Sequence, residues 1–213
     1  MRVIVFDLDN TLIRGNISFK FFFFLLKKKK ISFFKLLYPL AKFLKYQLGF
    51  LSLVDMHNLV FENFLKNQNL RFFKNHVNNF LKEKINKIIN KPVYRHLNHF
   101  LAKKDHVILM SSSPIFLVGP LAKMLNIKNS FATRYLLGSS DEIIDVDYFL
   151  EGHLKAKFLA DHLKVNKLDY DMIIGFSDSI DDLPLLEKCN EVYLVNPNRK
   201  LIKRFVGRSC KII

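Results

Sequence analysis

An apolar run, Val3-Ile4-Val5-Phe6, ends abruptly in Asp7-Leu8-Asp9, and few folds accept that combination. The run has the length and β-branched character of a fully buried strand. Successive side chains alternate across a strand, so Asp7 and Asp9 can share one face at its carboxyl end. In open α/β sheets that end is where ligands bind. Two acids placed there repel each other and lose hydration unless a cation or a shared proton compensates. The opening therefore predicts a catalytic metal site at the end of the first strand.

The rest of the chain supplies a matching framework outside residues 14–104, where strand and helix patterns alternate as in a parallel sheet. His106–Met110 reads as a second core strand, followed by Ser111-Ser112-Ser113-Pro114. Pro114 suits the first turn of a helix, with Ser113 as its cap. Phe131–Leu137 and Ile143–Phe149 flank Gly138-Ser-Ser-Asp141 and predict a hairpin. Helices are expected over about His153–Leu163 and Asp182–Lys188. Asp171–Gly175 and Glu191–Val195 complete the core strands. With 213 residues, the chain is long enough for one large domain or for a core carrying an insertion.

Residues 14–104 have a different composition. They hold 19 Lys and Arg against three acids, Asp55, Glu62 and Glu83, and 15 of the 22 Phe, while the remainder is close to neutral. Enrichment in Lys, Asn, Ile and Phe can follow from nucleotide bias, but bias does not segregate residues along a chain. The segment reads as almost wholly helical. Between Ile31 and Leu51 the residues Ser32, Lys35, Pro39, Lys42, Tyr46 and Gly49 recur at helical spacing, a narrow polar stripe on an apolar helix. Phe21–Leu26 is wholly apolar and abuts Lys27–Lys30. Neither stretch has the length and purity of a membrane span. The expected arrangement is a helical cap packed on itself, with contact at an anionic membrane surface as the alternative. Nucleic-acid binding is not expected: no recognised binding motif and no aromatic platform is evident. His57, His76, His96 and His99 lack metal-ligand spacing.

No signal-peptide pattern precedes the first strand, and Cys189 and Cys210 are isolated, so a reducing cytoplasmic setting is expected, with the membrane surface as a peripheral station.

Four chemical elements fall at or beside the ends of the core strands: Asp7 and Asp9; Ser111 with Ser112; Lys155, after Gly152; and Asp178 with Asp182. Together they describe phosphoryl transfer. A carboxylate can attack phosphorus, and a second can protonate the leaving oxygen and then activate water. Clustered acids suit Mg²⁺, a hard cation favouring oxygen. A hydroxyl and a lysine can hold phosphoryl oxygens.

In these motifs the chain resembles the haloacid dehalogenase superfamily. Asp7-Leu-Asp9-Asn-Thr11-Leu12 is similar to its first motif, Ser111 after an apolar strand to its second, and Lys155 in Gly152-His-Leu-Lys-Ala-Lys-Phe-Leu to its third. Gly175-Phe-Ser-Asp178-Ser-Ile-Asp-Asp182 is similar to its fourth. The resemblance implies a doubly wound, Rossmann-like α/β core (1–13 and 105–213). An inserted helical C1 cap (14–104), as in subfamily IB, would interrupt it. It also implies Asp7 as nucleophile, Asp9 as general acid/base, and Thr11 as an orienting group. Ser111, Ser112 and Lys155 would bind phosphate, with Lys155 preferred to Lys157. Mg²⁺ would be held by Asp7, the Asp9 carbonyl and Asp178, with Asp182 in support. The implied reaction is hydrolysis of a phosphate monoester, either a small phosphometabolite or a lipid phosphate. Phosphoserine phosphatases of this subfamily place a cap glutamate where this chain has Asn16, and an amide offers an ammonium group less than a carboxylate does. Gly152-His-Leu-Lys155 and Ser177-Asp-Ser179 also resemble bacterial phosphatidylglycerophosphate phosphatases of the superfamily.

Overall fold

The computed structural model describes residues 1–205, 207 and 209–213, and for 35, 36 and 47 the backbone only. The side chain of Lys35, part of the polar stripe, thus lies outside the described residues.

The predicted strands meet in one sheet. It comprises β1 (Arg2–Asp7), β2 (His106–Pro114), β3 (Asn129–Leu137), β4 (Ile143–Tyr148), β5 (Met172–Ser177), β6 (Glu191–Leu194) and β7 (Cys210–Ile212), in the order β4-β3-β2-β1-β5-β6-β7. Among the described strands the β3–β4 hairpin pairs antiparallel and the other pairs are parallel; β1 lies centrally, between β2 and β5. Its apolar run is buried on both faces, as a parallel sheet covered by helices requires. Phe176 stacks between Phe6 and Tyr193, with ring centroids 4.4 Å away on each side. The three-residue β7 and the helix before it, Arg199–Arg204, have too little periodicity to be read from sequence.

Residues between β1 and β2 form α1 (Ile17–Lys27), α2 (Phe33–Gln47), α3 (Leu53–Val60), a π-helical turn (Phe61–Leu65), α4 (Leu70–Ile88) and α5 (Lys91–Ala102). Asn16 caps α1, its side chain accepting from the Phe19 amide. Helices α1 and α4 pack through Phe21, Phe24 and Phe80, all buried. Stacking of Phe73 on Phe116, at 5.2 Å, continues this core onto α6 (Ile115–Met124) beside the sheet. Helix α5 lies directly against the sheet, where Phe100 meets Phe6 and Phe176.

Two chain segments lead into and out of this helical region, and they are hydrogen bonded to each other. The Arg14 amide donates to Ile88 O at 2.7 Å, the Asn90 amide to Leu12 O at 2.9 Å, and Asn90 Nδ2 to Thr11 O at 2.9 Å.

Helix α2 inverts the expected packing. Of its polar stripe, Pro39 is buried and Tyr46 reaches the sheet end, while Ser32 and Gly49 at the two ends of the stripe are exposed. Its apolar side turns outward. Phe33, Phe34, Leu37 and Leu44, followed by Leu48 and Phe50, are exposed, Phe34 at 81% and Phe50 at 75%. Helices α1 and α4 pack on each other in a core continuous with the sheet, and the described residues of α2 do not share that core. Among the described residues, no helix is long and apolar enough to cross a membrane.

Candidate active site

The carboxyl ends of β1, β2 and β5, with the first turn of α7 (Gly152–Val165), converge on one cleft of about 460 Å³. Asp7 ends β1, and Asn10 turns the chain back immediately after Asp9, with φ 56°, a left-handed conformation that asparagine tolerates. Asp7, Asp9, Ser112, Lys155, Asp178 and Asp182 all line the cleft, and Phe43, Tyr46 and Met56 of the helical region roof it.

Lys155 is the hub. It is 2% exposed, and its Nζ donates to Asp7 Oδ1 at 2.8 Å and to Asp182 Oδ1 at 2.7 Å. Burial works against its charge, but the two carboxylates outweigh burial and hold the lysine protonated well above its usual range. Lys157, by contrast, lies on the exposed face of α7. Lys155 reaches the acids because Gly152 lets α7 approach the loop after β5. A Cβ on Gly152 would stand 1.8 Å from the Asp181 carbonyl oxygen.

Both oxygens of Asp182 are engaged, one by Lys155 and the other by Ser177 Oγ at 2.8 Å. Asp178 instead faces the cleft, with one oxygen accepting from Thr11 Oγ1 at 3.2 Å. Burial, followed by repulsion from Asp182, raises Asp178 to about 6, and burial raises Asp7 well above the carboxylate range despite Lys155. These acids gain from a nearby cation.

Asp9 has a separate set of partners. Its oxygens accept from the Ile17 amide at 2.6 Å, Ser113 Oγ at 2.7 Å and Ser111 Oγ at 3.3 Å. Burial raises its pKa and the three donors oppose that rise. Ser113 is a correction to the sequence reading: it does not cap a helix. Strand β2 continues to Pro114, and α6 starts at Ile115 without a side-chain cap. Ser111 and Ser113 thereby fall on one face, and both meet Asp9; period-two alternation carried past Met110 would have found this. Ser112 points its carbonyl at Thr133 Oγ1, 2.7 Å away.

Two further contacts were not read from sequence. Tyr46 of α2 donates to Asp181 Oδ2 at 2.8 Å, tying roof to floor, and burial, then Asp181, holds the phenol protonated. Ser177 anchors Asp182 from the last position of β5. His153 is exposed at the start of α7; of the histidines between β1 and β2, His57 lines a smaller cavity beside the cleft, whereas His76, His96 and His99 line neither.

The donor set fits Mg²⁺. Asp7, Asp9 and Asp178 line the cleft together as oxygen donors of the kind Mg²⁺ takes; Asp7, Asp178 and the Asp9 carbonyl would hold it, with waters and substrate phosphate completing its shell. Asp182 already accepts from Lys155 and Ser177, which suits a supporting place beside the cation.

The sheet is mostly parallel, its central strand ends in Asp7 with Asp9 just beyond, and a helical insert roofs the cleft. A family model for haloacid dehalogenase-like hydrolases matches residues 4–187, and the chain belongs to that family. It is 30% identical over 115 residues to a probable phosphatase of Mycobacterium tuberculosis; the match covers 54% of this chain but only 40% of that protein. A Bordetella pertussis Tohama I protein of unknown function has the same fold, with a TM-score of 0.86 at 19% identity, covering 100% of this chain and 97% of that one. A phospho-aspartyl intermediate analogue of phosphoserine phosphatase gives a TM-score of 0.68 at 14% identity, over 99% and 92%.

Proposed function

We propose that the protein is a Mg²⁺-dependent phosphate monoester hydrolase working through a phospho-aspartate at Asp7. The observation that carries this is the division of labour between the two acids. Asp7 sits with Lys155 in the open cleft, while Asp9 is held by three donors and raised in pKa. In the first step an Asp7 oxygen attacks phosphorus, the ester oxygen–phosphorus bond breaks, and protonated Asp9 gives its proton to the leaving oxygen. In the second, Asp9 takes a proton from water, whose oxygen attacks phosphorus and frees Asp7 and inorganic phosphate. Lys155 and the Ser111–Ser112 segment hold the phosphoryl oxygens; Asp182 positions Lys155, and Thr11 orients Asp178. Bound Mg²⁺ would supply positive charge to phosphoryl oxygens and acids alike. Asp7→Asn should lower phosphate release at least about 10⁴-fold with an unchanged circular dichroism spectrum. A folded, fully active Asp7→Asn enzyme would sink the mechanism.

The substrate that this reading favours is a lipid phosphate met at a membrane surface. Its support is α2, whose exposed Phe33, Phe34, Leu37 and Leu44 lie with the exposed lysines 29, 30 and 45, while Phe43 and Tyr46 of the same helix roof the cleft. Apolar residues rimmed by lysine suit an anionic bilayer, with about 1 kcal/mol per lysine near the surface. Docking there would bring the cleft mouth to the headgroups. Phosphoserine, the substrate class of the structural relatives, is the second reading, but Asn16 spends its side-chain oxygen on capping α1. Flotation at low salt should recover the protein with phosphatidylglycerol vesicles and not with phosphatidylcholine alone. Recovery with neither, together with turnover of phosphoserine, favours a soluble substrate.

A further inference from the structure

A second cavity, of about 90 Å³, lies between α1, α3 and the β3–β4 hairpin. It opens off the catalytic cleft: Asn16, Leu53, Met56 and Ser112 line both. Its walls are mostly apolar, with Phe19, Phe22, Val60 and Phe149 among them, and no Lys, Arg, Asp or Glu lines it.

Two polar groups break that apolar surface. His57 and Tyr135 both line the cavity, and His57 Nε2 and Tyr135 OH are buried without a hydrogen-bond partner among the described residues. His57 is 8% exposed; its ring stacks on Phe149 at 4.1 Å and lies parallel to Tyr135 at 6.0 Å. An unpartnered buried polar group carries a real desolvation penalty, so two beside one cavity mark a place where a ligand atom belongs. Burial lowers His57 to about 4 and keeps Tyr135 protonated, so both are neutral at pH 7 and together offer a donor and an acceptor.

We propose that this cavity holds the part of the substrate alcohol next to the phosphate: a short, uncharged, largely apolar chain carrying one hydroxyl or carbonyl oxygen for Tyr135 and His57. The proposal rests on the phosphatase reading and narrows its substrate class. Room for about three water-sized groups admits a few chain atoms rather than a whole lipid. An ammonium or carboxylate entering the cavity would meet no countercharge and would lose its hydration, which tells against an amino-acid phosphate.

The test is a series of linear alkyl phosphates from methyl to hexyl, with phosphoserine and p-nitrophenyl phosphate alongside, assayed with Mg²⁺. In the wild-type enzyme kcat/KM should rise about fourfold per methylene over the first few carbons and then level off, with phosphoserine no better than methyl phosphate. Hydroxybutyl phosphate should exceed butyl phosphate severalfold, and Tyr135→Phe should abolish that advantage while keeping the chain-length slope. A flat series with p-nitrophenyl phosphate still hydrolysed, or phosphoserine preferred to butyl phosphate, overturns the cavity assignment alone. An unchanged hydroxyl preference in Tyr135→Phe overturns the role of the polar pair. Hydrolysis of none of the esters, nor of phosphatidylglycerophosphate in anionic vesicles, overturns the phosphatase reading beneath it.

Discussion

The floor and the roof of the cleft are built on opposite rules. On the floor, Asp7, Asp182, Lys155 and Ser177 form a buried chain of hydrogen bonds, each group fixed by another, at the ends of strands that cannot shift without breaking the sheet. The roof helix α2 turns Phe33 and Phe34 outward, and Tyr46 ties it to the floor through a hydrogen bond to Asp181. The contrast sets a fixed, buried floor against an exposed, lightly held roof. Reacting groups need fixed positions, and the outward side of α2 is free of that constraint.

Four changes probe that contrast, from the largest expected effect downward. Lys155→Met strikes the floor. It leaves Asp7 and Asp182 buried without their countercharge, so stability should fall by about 3–5 kcal/mol, read by urea denaturation, with activity lost in parallel. The second concerns the wall between floor and roof. His57 is held near 4, below its unfolded value of 6.5, so the unfolded chain takes up a proton that the folded chain refuses as pH falls between these values. Stability from this group is therefore present above about pH 6.5 and lost toward pH 4, by about 3 kcal/mol at most. The difference in melting temperature between wild type and His57→Phe, followed from pH 7 to 4 at fixed Mg²⁺, should show it; parallel curves would contradict the burial. Third, Tyr46→Phe removes the tie of the roof and should cost about 1 kcal/mol, appearing mainly as a higher KM. Smallest in stability is Phe34→Ser with Phe50→Ser, within about 0.5 kcal/mol. If α2 meets lipid, the same pair should abolish vesicle flotation, and that pairing of outcomes distinguishes a docking face from a packing face.

The floor was legible in the sequence because its information is local. An apolar run ending in acids, Ser111 after a second run, and a glycine before a helix each mark a strand end without reference to the rest of the chain. Ser113 escaped because Ser-Pro is also a helix start, and only pairing with β3 carries the strand on to Pro114. The orientation of α2 escaped for a deeper reason. A polar stripe on an apolar helix shows that two faces exist, not which one meets the protein; burial of Pro39 and the reach of Tyr46 decide it. His57 was noticed as a residue but not as a cavity wall, since its neighbours Tyr135 and Phe149 arrive from a distant hairpin.

The bonded necks of the helical insert have a mechanical consequence. Because Arg14 holds Ile88, and Asn90 holds both Leu12 and Thr11, the insert is attached to the sheet through one stiff stem instead of two independent threads. Thr11 is also the residue whose hydroxyl grips Asp178. A torque on the insert therefore reaches the Asp178 carboxylate through two hydrogen bonds and one residue.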